Sequence, residues 1–269
     1  MWAIFKEYMV NQEIYDKIKT WFDGYVNSFS TENKELEQNI EIIRDHSYRV
    51  VGLIEEFVEQ ANLSESDFLL AKITALLHDI GRFNQLIVHG TFADTDKINH
   101  SAIGILLLTE QESITNTLSE ETKSILIECI RFHNLREIPK SVNERSLPIL
   151  LVLRDADRLD NLELMAEYYS EHKSGFNKRL ELELADNTNI SKKVHQSIME
   201  EKVVDSKHIL GLSDFKLQQM SWIFDFQFKR SFQIASEKTY LKRMYECLPK
   251  KDIVIDMYRQ MKIYMENQL

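Results

Sequence analysis

Apolar residues recur three and four positions apart along most of this chain, the spacing of one face of an α-helix. Val10, Ile14, Ile18 and Trp21 form one such stripe and predict a first helix over Glu7 to Tyr25. Thr31 can cap a second helix, which runs to about Ala61 with Ile40, Ile43, Val50, Ile54 and Phe57 along one side. Ser64-x-x-Asp67 opens a third, and Gly81 reads as its stop. Between Leu69 and Ile80 only Lys72, Thr74, His78 and Asp79 interrupt this third helix, so it is apolar nearly all round and should be central. A loop from Gly81 to about Asp96 follows, long enough to form a pocket wall or lid with Phe83, His89, Gly90 and Thr91. Further helices are predicted at Lys97 to Glu110, Ser119 to His133 and Leu147 to Tyr169.

After about Ser170 the pattern weakens, with a loop at Ser174-Gly175 and a polar stretch from Ala185 to Ile190. It recovers in an aromatic segment containing Trp222, Phe224, Phe226, Phe228 and Phe232. Alternation there suits a strand, but the flanking Leu217-Gln-Gln-Met and Lys229-Arg-Ser-Phe favour a helix that packs into a core. The expected fold class is therefore all-α. A helical core with its N-terminal helix covers residues 1–170, and a C-terminal helical lobe covers 171–269.

Composition agrees with long helices: only 7 Gly and 3 Pro occur in 269 residues, too few for turn-dense β architecture. A formal charge of −10 argues against non-specific binding to duplex nucleic acid or to anionic membranes. Cys129 and Cys247 show no CxxC spacing and read as free thiols of a reducing compartment. The start, MWAIFKEYMVNQE, is broken by Lys6, Glu7 and Asn11, unlike a signal peptide, and apolar runs such as Ile149 to Leu153 are too short to span a bilayer. These features predict a cytoplasmic protein.

Four of the eight histidines fall in strongly apolar helical stretches: His46, His78, His100 and His133. His46 shares a face with Ile42, Ile43, Val50 and Leu53. His100 is followed by Ile103, Gly104 and Leu107, and His133 is preceded by Leu126, Cys129 and Ile130. One buried imidazole is easily satisfied by a backbone carbonyl. Four, together with Asp79, are not, because each unpaired buried polar group costs about 1–3 kcal/mol. A shared metal ion offsets that cost, since imidazole and carboxylate are natural ligands. His78 and Asp79 are adjacent, and neighbours on a helix point about 100° apart. At a helix end that constraint relaxes, and two carboxylate oxygens let Asp79 bridge two ions.

The segment Leu76-Leu-His-Asp-Ile-Gly-Arg82 resembles the signature of the HD superfamily of metal-dependent phosphohydrolases. His46, in Asp45-His-Ser-Tyr-Arg-Val50, resembles that family's upstream ligand. In Arg154-Asp-Ala-Asp-Arg-Leu-Asp-Asn161 the family pattern aligns Asp157 with the last ligand. Asp155, two residues earlier, is the alternative ligand, or a partner that orients a ligand or holds Arg49. The resemblance covers roughly residues 35 to 165. His100 and His133 match the extra histidines of the larger-site subset, which includes HD-GYP cyclic-dinucleotide phosphodiesterases and diiron inositol oxygenases. The Gly-Tyr-Pro element that names the HD-GYP proteins is missing here.

The resemblance implies an HD-type helical bundle with two divalent ions on six side chains: His46, His78, Asp79, His100, His133 and Asp157. Mn, Fe, Mg, Co, Ni and Zn all suit such mixed nitrogen and oxygen ligation. Arg82 stands where many relatives carry Lys and could grip phosphate bidentately. The alternative for Arg82 is a cation at the helix end, favourable with the dipole. Arg158 and Lys97 are weaker substrate contacts. The implied activity is hydrolysis of a small phosphate ester, a nucleotide or another phosphorylated metabolite, through a metal-bridged hydroxide, with Asp79 as catalytic residue. A diiron oxygenase of the inositol-oxygenase type is the alternative. The C-terminal lobe would close the pocket or form a homodimer contact.

Overall fold

The computed structural model describes residues 9–173 and 175–269. Glu7 and Tyr8, where the first helix is expected to begin, and Ser174 lie outside them. The described elements are helical, with no strand among them, which makes the chain all-α. The chain divides into two compact units, residues 1–157 and 158–269.

In the first unit, helix α1 (Gln12–Asn27) is capped by Asn11, whose side chain accepts from Ile14 N. Helix α2 (Lys34–Ile54) runs on through a 3-10 turn, Glu55–Phe57. Its cap is Asn33, which accepts from Leu36 N, not Thr31. The Thr31 hydroxyl instead accepts from Asn33 N, one turn upstream of the helix. Ser64 caps α3 (Glu65–Leu77), as its position before an apolar run predicts. Leu69, Leu70, Ala71, Ile73, Thr74, Ala75, Leu76 and Leu77 of α3 are all buried, and α1, α2 and α6 (Glu120–Phe132) pack around it.

The third helix does not end at Gly81. It ends at Leu77, and Asp79, at φ −104°, ψ 16°, turns the chain into a new helix, α4 (Ile80–His89). The segment read as a loop is therefore largely helical. Phe83 is buried in an aromatic cluster with Phe22, Tyr25 and Phe29 rather than lining a lid. The glycine that does stop a helix is Gly90, in the left-handed region at φ 68°. Helix α5 (His100–Glu110), capped by Asn99, packs closely on α4. The absent side chain of Gly81 permits this approach: a Cβ there would lie 2.1 Å from His100 O and 2.5 Å from Gly104 N. Ser119 caps α6, and helix α7 (Ser146–Glu171) carries the chain across the boundary between the units.

The second unit contains α8 (Lys192–Met199), α9 (Leu212–Met220), α10 (Lys229–Glu237), α11 (Tyr240–Glu246) and α12 (Asp252–Asn267). Val254, Met257, Met261 and Met265 form the buried stripe of α12. The aromatic segment is not one helix. Ser221–Asp225 is a 3-10 turn, Phe226 and Phe228 are extended, and α10 starts at Lys229. Packing of Phe226 on Phe232, and of Phe224 and Phe232 on Tyr264, overrides the helical pattern of the flanks. No described helix is long and apolar enough to cross a membrane.

Candidate metal centre

Four helices of the first unit each deliver a histidine to one buried point. His46 comes from the middle of α2, His78 from the end of α3, His100 from the start of α5 and His133 from the end of α6. All four are at most 5% exposed. Asp79 stands at the N-cap position of α4, yet its side chain makes no capping bond and points at the histidines instead. Asp157 enters from α7.

The six side chains fall into two groups around Asp79. On one side, His46 Nε2 and His78 Nε2 lie 3.2 Å apart, and Asp157 Oδ1 is 3.2 and 3.6 Å from them. Asp79 Oδ2 is 3.8 Å from each of these nitrogens. On the other side, His100 Nε2 and His133 Nε2 lie 3.2 Å apart, with Asp79 Oδ1 at 3.1 and 3.7 Å. Donor atoms of His46, His78 and Asp79, of Asp79, His100 and His133, and of His78, His133 and Asp157 each sit within 4.8 Å of one another. Asp155 is fully buried on α7 and belongs to none of these groups.

The hydrogen bonds of the rings show what this arrangement requires. His78 Nδ1 is 2.7 Å from Ala75 O, and His133 Nδ1 is 2.8 Å from Ile130 O. A carbonyl only accepts, so both rings carry their proton on Nδ1. His100 Nδ1 is 2.7 Å from the Asp94 carboxylate and is protonated for the same reason. In the neutral rings the Nε2 lone pairs of His100 and His133 therefore face each other and Asp79 Oδ1. That oxygen is buried without a hydrogen-bond partner, and Ser101 Oγ, 3.3 Å from His100 Nε2, is a marginal donor. Converging acceptors of this kind fit a cation, and neutral imidazole and carboxylate are its proper ligands.

The charge states agree. Burial pulls His100 down from 6.5 to about 4, with Arg82 adding to the shift, so the ring is neutral at pH 7. Burial pushes the Asp79 carboxyl up, but Arg82 and the histidines outweigh it and hold the group well below its usual range. Asp157 is likewise held low by His46 and His78 against the effect of burial. Both acids are ionised at neutral pH.

Arg82 lies beside the centre, its Nε 3.5 Å from Asp79 Oδ1. It occupies the first turn of α4, not the end of a helix, so favourable interaction with a C-terminal dipole does not apply. Its Nη1 donates to Phe92 O and Gln85 Oε1. Arg158 is buried in the second unit and paired with Asp225, and Lys97 is exposed. Three polar residues of the site were not expected. Asp94 bonds His100, Asn134 Nδ2 reaches Asp94 at 3.4 Å, and the buried Arg154 donates to Phe132 O, His133 O and Leu135 O. Asp94 carries a faint sequence signal, an acid shortly before a capped histidine helix, but Asp96 shares it.

Helices that converge histidines and carboxylates on one buried point define a candidate metal-binding domain. Residues 43–165 match the model of the HD domain family, and all six candidate ligands lie inside that span. Over that span the chain is similar to the HD domain, a family whose members are for the most part metal-dependent hydrolases. No match was found among curated proteins or among solved structures.

Proposed function

We propose that this chain hydrolyses a small phosphate ester, a nucleotide or another phosphorylated metabolite, using two divalent ions held by His46, His78, Asp79, His100, His133 and Asp157. The observation that carries this reading is the division of Asp79. One of its oxygens faces His46 and His78, and the other faces His100 and His133. Divalent ions bound there would supply a hydroxide nucleophile at neutral pH and offset charge on the phosphoryl oxygens.

The remaining work falls to the protein. Asp79 and Asp157 enter the cycle ionised, and His100 enters it neutral, so no proton must leave these groups before they bind. Asp79, Asp157 and Arg82 keep side-chain exposures of 13%, 16% and 21% while the histidines are buried, so a substrate would approach over the acids and the guanidinium. Nη1 of Arg82 is held by Phe92 and Gln85, which leaves Nη2 to meet a phosphate oxygen. The net charge of −10 supports a small substrate over a polyanionic duplex.

The test is a panel of mono- and bis-p-nitrophenyl phosphates and nucleotides, with Mn or Mg added and metal content measured on the same preparation. Turnover that disappears in Asp79→Ala is expected. Wild-type turnover in that variant would overturn the site, and oxygen uptake with a polyol in place of hydrolysis would overturn the reaction.

A further inference from the structure

We infer that Asp94 is a positioning residue that builds the His100 half of the centre, an inference that rests on the two-ion reading above. His78 and His133 are each braced by a carbonyl three residues back in their own helices, Ala75 O and Ile130 O. His100 has no such support. It is the first residue of α5, so no preceding helical turn offers a carbonyl.

Asp94 fills that role from outside the helix. Its Oδ2 accepts from His100 Nδ1 at 2.7 Å, and its Oδ1 accepts from the backbone N of the same residue at 3.0 Å. One carboxylate thus fixes both the ring and the start of α5. The carboxylate is itself held. Gln85 Nε2 donates to Oδ1 at 3.1 Å, Asn134 Nδ2 lies 3.4 Å from Oδ2, and Arg82 Nη1 is 3.7 Å from Oδ1. Gln85 and Arg82 also bond Ala93 O and Phe92 O, tying the segment after Gly90 back onto α4. Orienting His100 with Nδ1 protonated presents its Nε2 lone pair beside His133 and Asp79 Oδ1. The Asp79–His100–His133 half depends on this braced segment.

The experiment pairs two readouts on the full chain. Long-range proton–nitrogen NMR of the metal-free protein reports which His100 nitrogen is protonated, and Mn titration with elemental analysis reports stoichiometry and affinity. The wild type is expected to show Nδ1-protonated His100 and two Mn per chain. In Asp94→Asn, which keeps an oxygen for the backbone N of His100, the tautomers mix. The second Mn weakens about 10–100-fold while the first holds. Asp94→Glu recovers part of that affinity, and the metal-free Asp94→Asn protein stays folded with a lowered melting temperature, since the carboxylate also holds the start of α5. Both ions binding Asp94→Asn with wild-type affinity, or a wild-type His100 protonated on Nε2, would overturn the inference. A wild type that binds one Mn overturns the two-ion reading alone, because the tautomer still judges Asp94.

Discussion

His100 Nε2 and His133 Nε2 stand 3.2 Å apart, both rings buried and each having committed its other nitrogen as a donor. The Nε2 lone pairs so placed repel one another unless a cation offsets them. Metal binding should therefore stabilise the fold. An ion that binds only the folded chain adds about 2.7 kcal/mol at one hundred times its dissociation constant. Thermal melts with Mn and with EDTA should differ by several degrees. In His133→Ala the metal-dependent increment should shrink, and in Asp79→Ala, which serves both groups, it should nearly vanish. Identical melts with Mn and with EDTA in the wild type would refute a cation site.

The approach of α4 to α5 sets where His100 lies relative to Asp79. A Cβ at Gly81 would meet two backbone atoms, His100 O at 2.1 Å and Gly104 N at 2.5 Å, and backbone cannot swing aside. At Gly104 the nearest neighbours are Ile80 Cγ2 at 3.1 Å and Gly81 N at 3.2 Å, tight contacts but not the overlap met at Gly81. Gly81→Ala should cost about 1–3 kcal/mol or more, and Gly104→Ala less. Chemical denaturation of the metal-free proteins would rank them. The reverse order would mean that the two helices are not held at this distance.

Much of this centre was legible in the pattern of the chain. His46, His78, His100 and His133 point inward because each shares its helical face with apolar residues, and that periodicity is local information. What failed was what depends on a neighbour. A glycine after an apolar run serves either to stop a helix or to admit another backbone, and only the position of α5 shows that Gly81 does the second. Thr31 and Asn33 are both good caps, and the side-chain bond to Leu36 N selects Asn33. Asp94 and Asp96 look alike until the chain folds back onto Gln85. The break at Phe226 follows from packing on Phe232, which no window of the sequence contains.

Arg154 ties α7 to the end of α6. It is 1% exposed and donates to three carbonyls there, including His133 O at 2.8 Å. Phe132 O also accepts from Leu135 N at 3.3 Å, and the guanidinium adds a cap to this helix end. Arg154→Met removes these buried donors and should cost about 2–4 kcal/mol. Arg154→Lys should rescue little, because the shorter lysine stem does not carry its ammonium to the place where Nη1 meets all three carbonyls. The same variants should weaken Mn binding, since His133 loses its support. Denaturant midpoints combined with Mn titration check both effects, and unchanged affinity in a folded Arg154→Met would deny Arg154 any role in placing His133.

Acid should weaken the metal-free protein in two windows, for reasons with the same sign. His100 is pulled by burial from 6.5 to about 4, so between those values the unfolded chain binds a proton that the folded chain does not. Its contribution to stability is complete above about pH 6.5 and is lost as pH falls towards 4. Burial opposes the depression of Asp94, but its bond to His100 holds it at about 2, against 3.8 ordinarily. That contribution is present above 3.8 and lost as pH falls through the folded value near 2. Urea midpoints of the metal-free protein should therefore drop from pH 7 to 4 and drop again below it. His100→Gln removes the proton uptake in the upper window, so its midpoint should fall less between pH 6.5 and 4 than that of the wild type. A variant profile parallel to the wild type across that window would mean that His100 is not the group that titrates there.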